Sequence, residues 1–210
     1  MKKIFIILIS VSLLNSCSLF EDVCDNLPKA DVLFDIINLA STIIPIGTPI
    51  QVASTVLNTL DTACETAAAT GNHSNNYVAM FSNDPNTGFQ PIQFQDQNGD
   101  LINEGAVPTP SINGGGSTVI NANFGVDDPG FYMIMGKADG FNDVDERNEN
   151  NNGIDSNTGE YKYSTVAQTY SYPFEGLIEG KDYVYFQVTD PEGKATPLNE
   201  GKLPVLKILK

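Results

Sequence analysis

The chain has 210 residues, of which 26 are acidic and 11 basic, with one histidine and no tryptophan. Its formal charge of −15 repels phosphate backbones and anionic headgroups, so nucleic-acid binding is disfavoured. Its three cysteines lack a Cys-x-x-Cys spacing, which argues against a zinc or thioredoxin-like centre.

Residues 1–16 read as a targeting segment. Lys2 and Lys3 precede the apolar run Ile4–Leu14, too short to span a bilayer as a helix and suited to a signal-peptide core. The run ends in Leu14-Asn15-Ser16-Cys17, which resembles the lipobox of bacterial lipoproteins: a branched aliphatic residue, two small ones, then cysteine. That resemblance implies a diacylglycerol thioether on Cys17, an acylated (palmitate-type) amino terminus and a membrane partner reached through the lipid. The alternative is ordinary secretory cleavage with Cys17 incidental. Ser18 follows the cysteine in place of the aspartate that holds many lipoproteins at the inner membrane, so the outer membrane is expected. Glu21 and Asp22 resemble the acidic signal that sends Bacteroidetes lipoproteins to the cell surface. Loss of Lys2 and Lys3 takes the formal charge from −15 to −17.

Residues 17–28 read as a tether. In an oxidising compartment the even pair Cys24 and Cys64 predicts a disulfide, which would close a loop of about forty residues and contribute roughly 3–4 kcal/mol. The alternative is buried free thiols.

From residue 29 the pattern is of strands. After the turn signal Pro45-Ile46-Gly47-Thr48-Pro49, residues Ile50, Val52, Ser54 and Val56 alternate with Gln51, Ala53, Thr55 and Leu57. The two prolines argue against one helix through 31–70. Asp61-Thr62-Ala63 fits a short O-glycosylation pattern that also arises by chance. His73, within Gly-Asn-His-Ser-Asn-Asn, is expected in a loop as a solvated side chain. Its neighbour Ser74 makes no triad, and no Gly-x-Ser-x-Gly elbow is present.

Further strands are expected at Tyr77–Phe81 and Gln90–Gln95, the latter closed by the Asn98-Gly99 hairpin signal. Gly114-Gly115-Gly116 lacks the lysine of a phosphate-binding loop and reads as a turn. It leads into the alternation Thr118, Ile120, Ala122, Phe124. Asp128-Pro129-Gly130 then turns the chain into Phe131–Met135. Short runs separated by Gly, Pro and Asn at intervals of about 10–15 residues predict an all-β, antiparallel sandwich.

Asp143–Asn152 reads DVDERNENNN, with four acids, one arginine, four asparagines and only Val144 apolar. Asp143, Asp145, Glu149 and Asp155 could supply some oxygens to a calcium ion, but asparagines replace the expected aspartates and Glu160 is one position too far along. The structural account is simpler: Val144 buried at the end of the strand that begins near Phe131, followed by asparagines that accept φ > 0 in a turn fixed by Glu149. No metal or cofactor is therefore assigned. Strand-like runs follow at 161–172, 182–189 and 203–209, the last two separated by Asp190-Pro191-Glu192-Gly193.

Read in order, these pieces resemble the CARDB family, the cell-adhesion-related domain found in bacteria. The resemblance rests on Asp31-Val-Leu-Phe, Gly47-Thr-Pro-Ile with Val56-Leu-Asn58, Gly116-Ser-Thr118, and Pro129-Gly-Phe-Tyr132. It is completed by the signature Asp-x4-Val-x-Glu-x2-Glu-x-Asn-Asn, met by Asp139, Val144, Glu146, Glu149, Asn151 and Asn152. It covers residues 29–152, with 153–210 expected to complete or extend the same sandwich. It implies an immunoglobulin-like β-sandwich with no intrinsic catalysis, used for adhesion, spacing or docking of a protein or polysaccharide partner. The longer segment Cys64–Asn76 and the extra C-terminal strands after residue 160 depart from the family pattern.

Two other functions stay open at this level. Six tyrosines at 161, 163, 170, 172, 183 and 185 form pairs two apart, so within a strand each pair shares a face. Exposed, they would make a glycan platform; the competing reading is cross-strand packing with wet hydroxyls. A hydrolase with an unrecognised carboxylate pair is the other alternative, though no spacing among the 26 acids singles out a pair.

Overall fold

The computed structural model describes residues 29–61, 67–86, 88–148, 178–196 and 202–210. The expectations for the signal segment, tether, Cys17, Cys24, Cys64, Glu149, Asn151, Asn152 and the 161–172 run lie outside them.

The described residues form strands joined by turns. Strand β1 (Val32–Leu39) is followed by β2 (Ile43–Pro45), β3 (Ile50–Asn58), β4 (His73–Ser82) and β5 (Gln90–Gln95). Next come β6 (Leu101–Ile102), β7 (Gly105–Thr109), β8 (Ser117–Gly125), β9 (Gly130–Lys137), β10 (Tyr183–Thr189) and β11 (Val205–Ile208). The alternation at 50–57 and 118–124 emerges as β3 and β8, with the even-numbered side chains of β3 and Ile120, Ala122 and Phe124 of β8 buried. At the Asn98-Gly99 signal the chain makes a tight reversal with Gly99 at φ 93°, pairing β5 with β6.

The strands follow one path, β1-β3-β8-β11-β5-β4-β9-β10-β2, which curls into two facing layers. β5 pairs with β11 on one side and β4 on the other, and so joins the layers. β1 pairs antiparallel with β3, while β2, three residues later, pairs parallel with β10. One stretch of chain thus serves both layers. This is an immunoglobulin-like sandwich in which most ladders are antiparallel and two short ones, β2–β10 and β5–β11, are parallel. The C-terminal strands are built into it: β10 pairs with β9, and β11 lies between β8 and β5.

Aromatic rings fill the space between the layers. Tyr77 of β4 meets Phe34 of β1 and Phe124 of β8 edge-on, with centroids at 6.0 and 5.7 Å. Phe94 packs on Phe124 at 5.4 Å, and Tyr132 stacks on Phe186 at 5.5 Å. Gly136 is where β9 admits the Phe34 ring, since a Cβ there would lie 2.7 Å from its tip. A second apolar cluster occupies the opposite face of β4, β9 and β10, with Met80, Met133, Met135, Phe89 and Tyr183 all buried.

Three expectations are corrected. β2 and β7 were not anticipated, because each carries a proline (Pro45, Pro108) and is short; both tolerate it on the outer edges of their pairs. Residues 73–76 belong to β4 rather than a loop. His73 is accordingly buried, 5% exposed, on the core-facing side of that strand. Four polar residues in a row hid this strand extension: they pair with β7, and their inward side chains are satisfied largely by the loops that close that end of the sandwich.

Candidate functional site

The described part of the signature stretch, Asp139–Asn148, closes one end of the sandwich. β9 ends at Lys137, and Asp139 (φ 41°) and Asn142 (φ 58°) then take left-handed conformations that short polar side chains tolerate. The carboxylate of Asp139, 1% exposed, accepts the backbone N–H groups of Asp143 and Val144, each at 2.9 Å. Its own N–H donates to Asn75 Oδ1 at 2.9 Å, while Asn75 Nδ2 donates to Thr109 Oγ1. Gly140 fits because a Cβ there would sit 2.1 Å from Asn76 Cγ. The turn delivers Val144 into the core, 6% exposed. Val144 is buried as expected, but from this turn, seven residues after the strand has ended.

Beyond Val144 the chain runs beside the start of β1. Glu146, 3% exposed, accepts the Val32 N–H at 2.6 Å, and the Arg147 N–H donates to Ala30 C=O at 2.8 Å. The Arg147 guanidinium donates to Asp31 Oδ2 at 2.5 Å and lies 3.5 Å from Asp61. Thr59 Oγ1 donates to the same Asp31 oxygen at 2.6 Å. Asn58 ties three loops together: Oδ1 accepts Asp31 N–H, while Nδ2 donates to Ala68 and Ile112 carbonyls at 2.7 and 3.0 Å. Asp145 points outward and pairs with Lys29.

The arrangement is a buried clamp that satisfies the Val32 N–H and the Ala30 C=O at the start of β1. The three buried carboxylates, Asp31, Asp139 and Glu146, are each committed to donors of the fold. Among the described residues no group of three or more His, Cys, Asp or Glu side chains could hold a metal ion. Of the four carboxylates considered for calcium, Asp143 is exposed, Asp145 is ion-paired with Lys29, and Glu149 and Asp155 lie outside the described residues. Arg147, Asn58 and Asn75 were not assigned these roles by sequence reasoning. The signal that could have found Arg147 is its position as the one cation among the four acids of DVDERNENNN.

The other singled-out residues take ordinary places. His73 Nδ1 lies 3.3 Å from Gly71 C=O, and its Nε2 has no hydrogen-bond partner among the described residues. Tyr183 and Tyr185 do share a face, but it is packed: Tyr183 is 3% exposed, and Tyr185 stacks on Phe131 and meets Phe89 edge-on. That pair therefore follows the packing reading. The Gly114–Gly116 segment is a turn, with Gly115 at φ 71° and its N–H donating to Asn58 C=O.

The CARDB family model matches residues 70–156. No curated protein matches the chain. Among solved structures, the chain is similar to the CARDB domain of a Pyrococcus furiosus protein in complex with di-metal ions: 16% identity, TM-score 0.37, covering 80% of this chain and 95% of that one. A solution structure of the same domain gives 15% identity and TM-score 0.38, covering 78% and 97%. A β-glucosidase from Listeria innocua in complex with isofagomine gives 8% identity and TM-score 0.36, covering 76% of this chain and 16% of the enzyme.

Proposed function

We propose that this chain, with its CARDB match over residues 70–156, is a non-enzymatic adhesion or docking module held at the bacterial outer membrane by lipid on Cys17. The observation that carries the non-enzymatic reading is the inward commitment of the signature carboxylates. Asp139 and Glu146 are spent on backbone donors of the turn and of β1, which makes the signature a scaffold device. A scaffold locked at one end suits a module that presents surfaces to a protein or polysaccharide partner. The strongly acidic surface favours neutral or cationic partners over nucleic acid.

Membrane fractionation of the parent and of Cys17→Ala tests the anchor. The parent should extract with detergent-soluble membrane and the variant should appear in the soluble fraction with an unchanged melting temperature. A variant that stays membrane-bound sinks the lipid reading. Crosslinking on intact cells tests docking: recovery of a defined protein or polysaccharide supports it. Turnover of a glycan substrate by the purified chain, abolished by replacing two carboxylates, would replace it with the hydrolase reading.

A further inference from the structure

Among the described residues every aromatic ring is buried or half-buried except one. Phe141, in the turn that follows β9, is 60% exposed. Single exposed apolar side chains are ordinary on a protein surface. Phe141 differs in how firmly it is held out. The Gly140 N–H donates to Ser74 C=O and the Asn142 N–H to Asp139 C=O, each at 2.9 Å, so both of its neighbours are tied down. Asp139 and Asn142 hold left-handed backbone, and the buried Asp139 carboxylate fixes the two residues after Asn142. A ring presented from such a turn loses little freedom when it makes a contact.

The same turn marks where the chain enters the sandwich. Asp145 is paired with Lys29, the first of the described residues, at 2.7 Å, and the Arg147 N–H donates to Ala30 C=O. Leu60, whose C=O accepts the Arg147 guanidinium at 3.4 Å, is 42% exposed at this end. The stretch from Cys17 to Lys29 spans at most about 40 Å when fully extended.

We propose that this end of the sandwich rests on the bilayer that carries the anchor, with the Phe141 ring set into the headgroup–acyl boundary of a zwitterionic membrane surface. The proposal rests on the reading of Cys17 as the lipid site. A tether this short keeps the Lys29 end, rather than the opposite one, nearest the bilayer. An apolar ring gains by leaving water for a boundary roughly 5–10 Å deep. Charge selects the surface: a chain of formal charge −15 is repelled by anionic headgroups. Around the ring Lys29 is paired with Asp145, and Arg147 with Asp31 and Asp61, which leaves little local field against a zwitterionic surface. Asp143, exposed two residues along, holds the depth to the headgroup level, because a carboxylate does not enter hydrocarbon.

The chain contains no tryptophan, so Phe141→Trp introduces a single fluorophore. The test places the full lipidated chain in phosphatidylcholine vesicles, with and without brominated acyl chains, and checks binding by flotation. At position 141 the emission should shift to the blue by about 10 nm and fall at least about twofold in the brominated vesicles. Val119→Trp, on the outer face of β8, should show neither change. Leu60→Trp should show a smaller quench, which is lost when Phe141→Asp is added while flotation is unchanged. Each variant should melt within about 2 °C of the parent, since these side chains are exposed. A chain that floats but is not quenched at position 141 overturns the seating and leaves the anchor standing. A chain that does not float removes the anchor and the seating together. Equal quenching at 119 and 141 also overturns the proposal, because the molecule would then lie on its strand face.

Discussion

At Asp139 one side chain does two tasks: it accepts a left-handed backbone at φ 41° and satisfies two buried N–H groups. Asp139→Asn keeps one acceptor oxygen and the tolerance for φ > 0, and should cost about 1 kcal/mol. Asp139→Ala leaves both donors without an acceptor, and should cost about 2–3 kcal/mol, read from urea midpoints. Tyr77 makes a pH prediction. Burial pushes its phenol up to about 12 from an ordinary 10, partly offset by its hydrogen bond to Ser54 Oγ at 2.9 Å. Below pH 10 the phenol is neutral folded and unfolded, so its contribution is fully present. Between pH 10 and 12 only the unfolded chain ionises, and stability falls by up to about 1.4 kcal/mol per pH unit. Tyr132 adds to the same window, raised by burial and then by the Asp128 and Asp127 charges. Tyr77→Phe should be less stable at neutral pH by about 1 kcal/mol through the lost hydrogen bond, yet decline less steeply from pH 10 to 12. A slope equal to that of the parent would refute the assignment.

At the scale of elements, the signature turn manages an exposed strand edge. β1 pairs with β3 on one side only, and its other edge is closed by Glu146 and Arg147 at the start and by Gly180 C=O at Ile37 N–H. β2, at the far end of the path, has Ser41 Oγ bonded to both backbone groups of Ile43, and Pro45 offers no donor. Arg147→Ala removes the ion pair to a largely buried Asp31 while Thr59 remains, and should cost about 2 kcal/mol. The loss should appear first as faster amide exchange in Val32–Leu39, with β4 and β9 still protected. Uniform loss of protection would mean that β1 and the rest unfold as one unit. The strands themselves were legible because alternation at 50–57 and 118–124 has a period of two and no competitor. The first four residues of β4 were not, since His73, Ser74, Asn75 and Asn76 are polar and their burial depends on β7 and the signature turn.

At the scale of the molecule, closure depends on the last strand. β11 enters between β8 and β5, with Leu206 fully buried in the core and Ile208 packed against it. Removing residues 203–210 would open the groove between those strands and leave their facing backbone groups without partners. The truncated chain should lose about 3–5 kcal/mol, by the scale of a buried leucine together with lost ladder bonds. A truncation within about 1 kcal/mol of the parent would show that β8 and β5 close on each other without it.

Composition, two-residue alternation and turn chemistry were enough to determine the all-β class, most strand positions and the Asn98-Gly99 hairpin, because each is a local or additive property of the chain. The candidate site was legible as a motif but not as a device. Asp139, Val144 and Glu146 could be picked out, whereas their partners Asn75, Val32 and Ala30 are distant in sequence. Only the tertiary structure decided that Asp139 and Glu146 accept backbone N–H groups, that His73 is buried, and that Tyr183 packs beside Met135. Each of those outcomes depends on which strand becomes whose neighbour, and that is set by the closing of the sandwich as a whole.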